Sequence, residues 1–180
     1  MARSAGARRT ALDVVRRPAT AWEFGWEGEG MAGRILVGVD GSTGSRGALR
    51  WAIEEAAARG AVLDAVIVWE SPYDFAKFYY SVDHKEIAER ARERLLETIA
   101  EVAGPHPAVE VRPVVLEGDP AQLLCAWSDD ADLIVVGSRG RGDFAGMLLG
   151  SVSTKCAQHS RCPVVIVPKD DKSAREGGAT

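Results

Sequence analysis

The chain has 180 residues, of which 46% are hydrophobic and 27% charged, with a formal net charge of -4. That length and composition fit one globular domain with ends to spare. The mild negative balance argues against coating a nucleic acid, which takes clustered Lys and Arg, but leaves a small nucleotide open. The apolar runs, such as Ile35–Val39 and Leu133–Val136, fall far short of the roughly 20 residues that cross a bilayer.

Residues 1–33 carry Arg3, Arg8, Arg9, Arg16 and Arg17 with no continuous apolar run behind them, so a secretory signal is not expected. The acids Asp13, Glu23, Glu27 and Glu29 also speak against an arginine-rich targeting peptide. Either Met31 is expected to be the biological start, with a mis-assigned extension before it, or residues 1–33 are expected to form a disordered tail. The folded domain is expected over 34–168, followed by a flexible tail over 169–180.

Residues 34–39 form an apolar run without polar alternation, as in a strand covered on both faces. It ends in Asp40-Gly41-Ser42. A helix is predicted over 45–59, with Leu49, Ala52, Ile53, Ala56 and Ala57 on one face and Gly60 as its stop. Residues 62–69 are the second strand, and 71–82 an aromatic connection without period. Ile87, Ala91, Leu95, Ile99 and Val102 recur at helical spacing over 84–103, before Gly104-Pro105.

The third strand, 109–116, holds Pro113, which cannot donate to a ladder and so predicts a sheet edge. Asp119-Pro120 reads as an N-cap and first-turn proline for a helix to about Ser128. Residues 132–136 are the fourth strand. A glycine-rich loop, a helix from Ser151 to His159 and a fifth strand at Pro163–Val167 complete the series. Strands alternating with helices imply a parallel sheet with right-handed crossovers. Ligands of such sheets bind beyond the carboxyl ends of the strands, at the switch point. The loops after strands one and four would meet there if those strands are neighbours.

The fourth loop reads Gly137-Ser138-Arg139-Gly140, and Gly150-Ser151 opens the helix that follows. Glycines there let backbone N–H groups approach a phosphate, and a helix N-terminus with the hydroxyls of Ser151 and Ser153 adds an anion site. Arg139 and Arg141 add positive charge. The competing reading is a loop whose glycines serve only a turn. Asp40 ends the first strand, where its carboxylate can accept from an adenine amine or a ribose hydroxyl; the plainer and compatible role is that Asp40 or Ser42 caps the next helix. The fragment Gly140–Ala145 also fits G-x-G-x-x-A, but it follows the fourth strand and lacks the ribose-binding acid. Arg141-Gly142-Asp143 is a chance match to an adhesion tripeptide.

Trp51, Trp69, Trp127 and the group Tyr73, Phe75, Phe78, Tyr79 and Tyr80 either stack on a base or cover the sheet end. Cys125, Cys156 and Cys162 have no C-x-x-C spacing; they are read as free thiols packed in or near the core, and they favour the cytoplasm. The chain has no P-loop lysine motif, no G-x-S-x-G and no H-E-x-x-H. His84, His106 and His159 are scattered. No catalytic residue and no metal ligand set is expected.

These residues together resemble a universal stress protein domain. The resemblance covers roughly Arg34 to Pro168. It rests on Val37-Gly-Val-Asp40-Gly-Ser42, Glu117-Gly-Asp-Pro120, Asp132-Leu-Ile-Val-Val-Gly-Ser-Arg-Gly140 and Cys162-Pro-Val-Val-Ile-Val167. The most specific element is G-x2-G-x9-G-[ST], met by Gly137, Gly140, Gly150 and Ser151; it resembles the ATP-binding branch of the family. The resemblance implies a Rossmann-like open five-stranded parallel sheet, ordered 3-2-1-4-5, with helices on both faces. It implies a homodimer through the last strand, Pro163–Val167.

It further implies ATP, with or without Mg2+, in a regulatory or signalling protein whose protein partner is unknown. Gly38, Val39 and Asp40 would lie against the adenosine, and Val68 would pack on adenine. Val136, Gly137, Arg139 and Gly140 would line the ribose and phosphates, and Gly150, Ser151, Val152 and Ser153 would hold the phosphates. The alternative is a slow ATPase or an adenine-nucleotide α-hydrolase-like enzyme. The phosphate loop of those enzymes, S-G-G-x-D-S, is replaced here by Asp40-Gly-Ser-Thr-Gly-Ser45.

Overall fold

A computed structural model describes residues 33–70, 84–105, 107–141 and 148–169. The chain divides into two units, Met1–Met31 and Ala32–Thr180, and every described residue belongs to the second. The expectations for the extension and the tail therefore fall almost wholly outside the described residues. So do those for the aromatic group Tyr73–Tyr80, for His106 and for Gly142–Ala145.

The described elements run β1 (Arg34–Gly38), α1 (Thr43–Arg59), β2 (Val62–Trp69), α2 (His84–Ala103), β3 (Val111–Glu117), α3 (Pro120–Trp127), a 3-10 turn (Ser128–Asp130), β4 (Leu133–Gly137), α4 (Ser151–His159) and β5 (Val164–Val167). The sheet is parallel with the expected order β3-β2-β1-β4-β5. Ile35 of β1 stands beside Leu133 of β4 and Leu63 of β2. The direction of winding reverses between β1 and β4, so the crevice beyond their carboxyl ends lies at the switch point.

The central strands are apolar on both sides because both sides are covered. Ile35, Val37, Leu63, Ala65 and Val135 pack with Ala48, Leu49, Ala52 and Ala56 of α1 and Leu95 of α2. Leu36, Val66, Ile134 and Val136 face the other way, against Leu124 of α3 and Cys156 of α4. The small residues of α1 let that helix lie close to the sheet. Ala57, expected on its buried face, is exposed, because the buried stripe runs through Leu49, Ala52 and Ala56 instead. Gly60 ends α1 in the left-handed conformation, φ 62°, and its N–H returns to Ala56 and Ala57.

Pro113 is exposed on edge strand β3, in register with Ala65. Asp119 caps α3, accepting from Gln122 N–H at 2.7 Å. Asp64, within the apolar run of β2, is buried at the amino end of the sheet. Its carboxylate accepts from Arg34 Nε at 2.7 Å and from Arg112 Nε at 2.8 Å. The Arg34 guanidinium also lies 5.2 Å from the centre of the Trp127 ring. The two cations balance the charge that burial would otherwise make prohibitive.

Candidate functional site

The carboxyl ends of β1 and β4 lead into the two loops that the sequence singled out. In the first, Asp40 Oδ1 accepts from Ser42 N–H at 2.9 Å. The cap of α1 is Ser42, not Asp40: Ser42 Oγ accepts from Ser45 N–H at 3.2 Å. Asp40 is thereby free to reach across. Its Oδ2 accepts from the backbone N–H of Arg141 at 3.0 Å, linking the two loops directly. Burial pushes the Asp40 pKa up, but hydrogen bonds from Ser42, Ser45 and Arg141 outweigh it and hold the carboxyl below its ordinary range.

The loop glycines are dictated by close approach rather than by turn geometry. Gly137, Gly140 and Gly150 are absent from the positive-φ glycines of the described residues, which are Gly41, Gly60, Gly104 and Gly118. A Cβ on Gly137 would lie 2.8 Å from the Gly44 carbonyl carbon. One on Gly44 would lie 2.5 Å from the Arg139 carbonyl oxygen, and one on Gly140 2.6 Å from Asp40 Oδ2. The fourth loop thus presses on the first turn of α1 through opposed glycines. Gly44 has little signal in the sequence; it stands just ahead of the helix predicted over 45–59 and lies within the first turn of α1.

Gly150 is different. Its backbone is extended, and a Cβ there would meet Arg139 Cα and the Ser138 carbonyl oxygen at 3.6 Å, ordinary contact. As N-cap of α4 it supplies no side-chain hydrogen bond. Its own N–H goes to Ser138 O at 2.7 Å. The N–H groups of Ser151, Val152 and Ser153, in the first turn of α4, have no intrahelical acceptor. Ser151 is exposed. The Ser153 hydroxyl, expected on the anion, is buried and bonded instead to Ser138 O at 3.1 Å and Gly150 O at 3.0 Å. It fastens the loop to the helix, and the Ser153 backbone amide lies in the same first turn of α4.

The apolar candidates separate by face. Val68, Val136 and Val152 belong to the cluster on the α3–α4 side. The bare side of Gly38 looks the same way, toward Leu124 and Val136. Val39 is buried in the opposite cluster, so only its backbone is available at the crevice. Beside the loops, Ser42, Gly44, Arg139, Gly140, Arg141 and Lys169 line a cavity of about 360 Å³.

The family model described as the Universal stress protein family matches residues 31–168. The chain belongs to this family. Universal stress protein Rv2623 of Mycobacterium tuberculosis is 40% identical over 132 residues, 73% of this chain and 44% of that protein. A universal stress protein of Mycolicibacterium smegmatis is 40% identical over 133 residues, 74% of this chain and 45% of its own length. The chain therefore spans less than half the length of these curated relatives. The universal stress protein UspA from Lactobacillus plantarum shares the fold, with a TM-score of 0.61 at 22% identity over 75% of this chain and 97% of that one. A universal stress protein solved in complex with cAMP is 28% identical, with a TM-score of 0.50 over 77% of this chain and 98% of that one.

Away from the crevice, the universal stress protein domain holds its three cysteines at the α3–α4 face. Burial, aided by the neighbouring Cys125 thiol, pushes Cys156 up to about 12, and burial also raises Cys162. Thiols so raised carry little thiolate at neutral pH. Among the described residues no group of three His, Cys, Asp or Glu could hold a metal ion, and no helix is long and apolar enough to cross a membrane.

Proposed function

We propose that this universal stress protein binds ATP, with or without Mg2+, in the crevice between the first and fourth loops, and acts as a cytoplasmic regulatory or signalling protein. The observation that carries the reading is the uncapped first turn of α4, set beside Arg139 and the Asp40 loop. Its amides and partial positive charge suit a phosphate. Gly140, Gly150, Ser151, Val152 and the Ser153 amide would hold the phosphate chain, with Gly137 and Arg139 alongside. Val68 and Val136 would offer the base and sugar an apolar wall, with the backbone of Gly38 and Val39 and the Asp40 carboxylate at its edge. The complex of a family member with cAMP supports an adenine nucleotide.

Binding is favoured over turnover by the state of Asp40. A carboxylate held below its ordinary pKa is a weak general base. The second reading, slow ATP hydrolysis, would need a base from elsewhere.

We propose, further, that two copies associate along β5. All four β5 residues are apolar and half-buried at the sheet edge. An edge strand offers unpaired N–H and C=O groups to a second copy.

Protein purified without added nucleotide, then denatured, should release ATP detectable by chromatography. Calorimetry on the stripped protein should show ATP binding more tightly than cAMP. No released nucleotide together with no heat on adding ATP would sink the reading. A preference for cAMP would shift it to a cyclic-nucleotide receptor, and accumulation of ADP during incubation would favour the ATPase.

A further inference from the structure

We propose that Asp40 is a positioning residue for the phosphate end of the site: its carboxylate latches the Gly140–Arg141 segment to the first turn of α1. This rests on the ATP reading, but it assigns Asp40 a role apart from contact with the nucleoside. Both carboxylate oxygens are engaged within the protein, Oδ1 by Ser42 N–H at 2.9 Å and Oδ2 by Arg141 N–H at 3.0 Å. Ser42 in turn caps α1, so the carboxylate joins a helix terminus to a loop 101 residues away in sequence.

The neighbours of the latch explain why it acts on phosphate. Gly140 lies so close that a Cβ would stand 2.6 Å from Oδ2. One residue earlier, the Arg139 carbonyl rests on Gly44 and its Cα borders Gly150, the open cap of α4. Ser138 O receives both the Gly150 N–H and the Ser153 hydroxyl. A continuous path of close contacts thus runs from Asp40 through residues 138–141 to the first turn of α4. If Arg141 is released, the backbone that sets the distance between the loop and that turn loses its anchor at one end. The latch uses a backbone N–H, so it depends on the residue type at 40 and on the space at 140, not on the side chain at 141.

Asp40→Asn tests this in the full chain, since an amide keeps one acceptor where the latch needs two. Inorganic tripolyphosphate probes the phosphate end alone and adenosine the nucleoside end. We expect Asp40→Asn to weaken tripolyphosphate at least tenfold in calorimetry and to speed hydrogen exchange of the Arg141 amide at least tenfold. Gly140→Ala should weaken tripolyphosphate in the wild-type background and do so far less in Asp40→Ala, where the clashing carboxylate is gone. Loss of adenosine affinity alone, with tripolyphosphate binding and Arg141 exchange unchanged, would overturn the proposal. So would equal effects of Gly140→Ala in both backgrounds. If the wild type binds neither ATP nor tripolyphosphate, the ATP reading fails. Arg141 exchange then still decides the latch: acceleration in Asp40→Asn upholds it and equal rates overturn it.

Discussion

Two aspartates mark the two ends of the sheet, and they are held in opposite ways. Asp64, at the amino end, is closed off by the guanidinium groups of Arg34 and Arg112. Asp40, at the carboxyl end, is held by backbone amides of Ser42 and Arg141. Amides supply directed donors without a formal charge, so the local field stays open to a ligand. Guanidinium groups neutralise the carboxylate and leave nothing to add. The difference separates an aspartate that supports the fold from one that we propose arranges a site.

The largest effect should come from the closed end. Asp64→Ala strands two partly buried cations and should cost about 3 kcal/mol in denaturant unfolding, the scale for a broken buried pair. Nucleotide affinity in the folded variant should be unchanged; a parallel loss of affinity would erase the contrast between the ends.

The next effect sets the open helix terminus against a closed one. Gly150→Asp has room for its Cβ and an extended backbone suited to an N-cap. It should leave the melting temperature the same or higher, while lowering ATP affinity at least tenfold by placing a carboxylate where phosphate is proposed to sit. Removing the existing cap of α3, Asp119→Ala, should do the reverse, costing about 1 kcal/mol without touching affinity. Calorimetry and thermal melts on the two variants read both quantities.

The smallest effect concerns pH. The folded pKa of Asp40 lies below its ordinary value of 3.8. Its contribution is therefore present above that value and lost as pH falls through the lowered folded one. The stability difference between wild type and Asp40→Asn should be constant from about pH 7 to about pH 5 and shrink below 3.8. A difference that fades already near pH 6 would point to another group.

Much of the fold was legible because its signals are local. The unbroken apolar runs of β1, β2 and β4 report two-sided burial, and Gly60, Pro113 and Asp119-Pro120 punctuate the chain as their backbone chemistry requires. What escaped was tertiary. The pairing of Asp64 with Arg112 depends on register across 48 residues. Ser128 was read as the end of a helix, yet its hydroxyl donates to Cys125 O and accepts from Arg161 N–H, 33 residues on.

The candidate site shows the same division. Spacing in the sequence picked out the glycines of this loop, but not that Gly137 and Gly140 face protein atoms. The loss of the Ser153 hydroxyl to Ser138 could not be read from a pattern of residue types. Residues 137–141, with Gly150 and Ser151, are thus both a proposed cradle and a structural joint.

The exposed Pro113 on β3 carries one further consequence. A proline on an outer strand blunts that side against the addition of further chains, while β5 on the opposite side has no proline within its span. If copies join through β5, each brings its β3 side outward and neither outward side readily accepts another strand. Growth would then stop after one pairing, and the proposed association would give a closed pair rather than a filament.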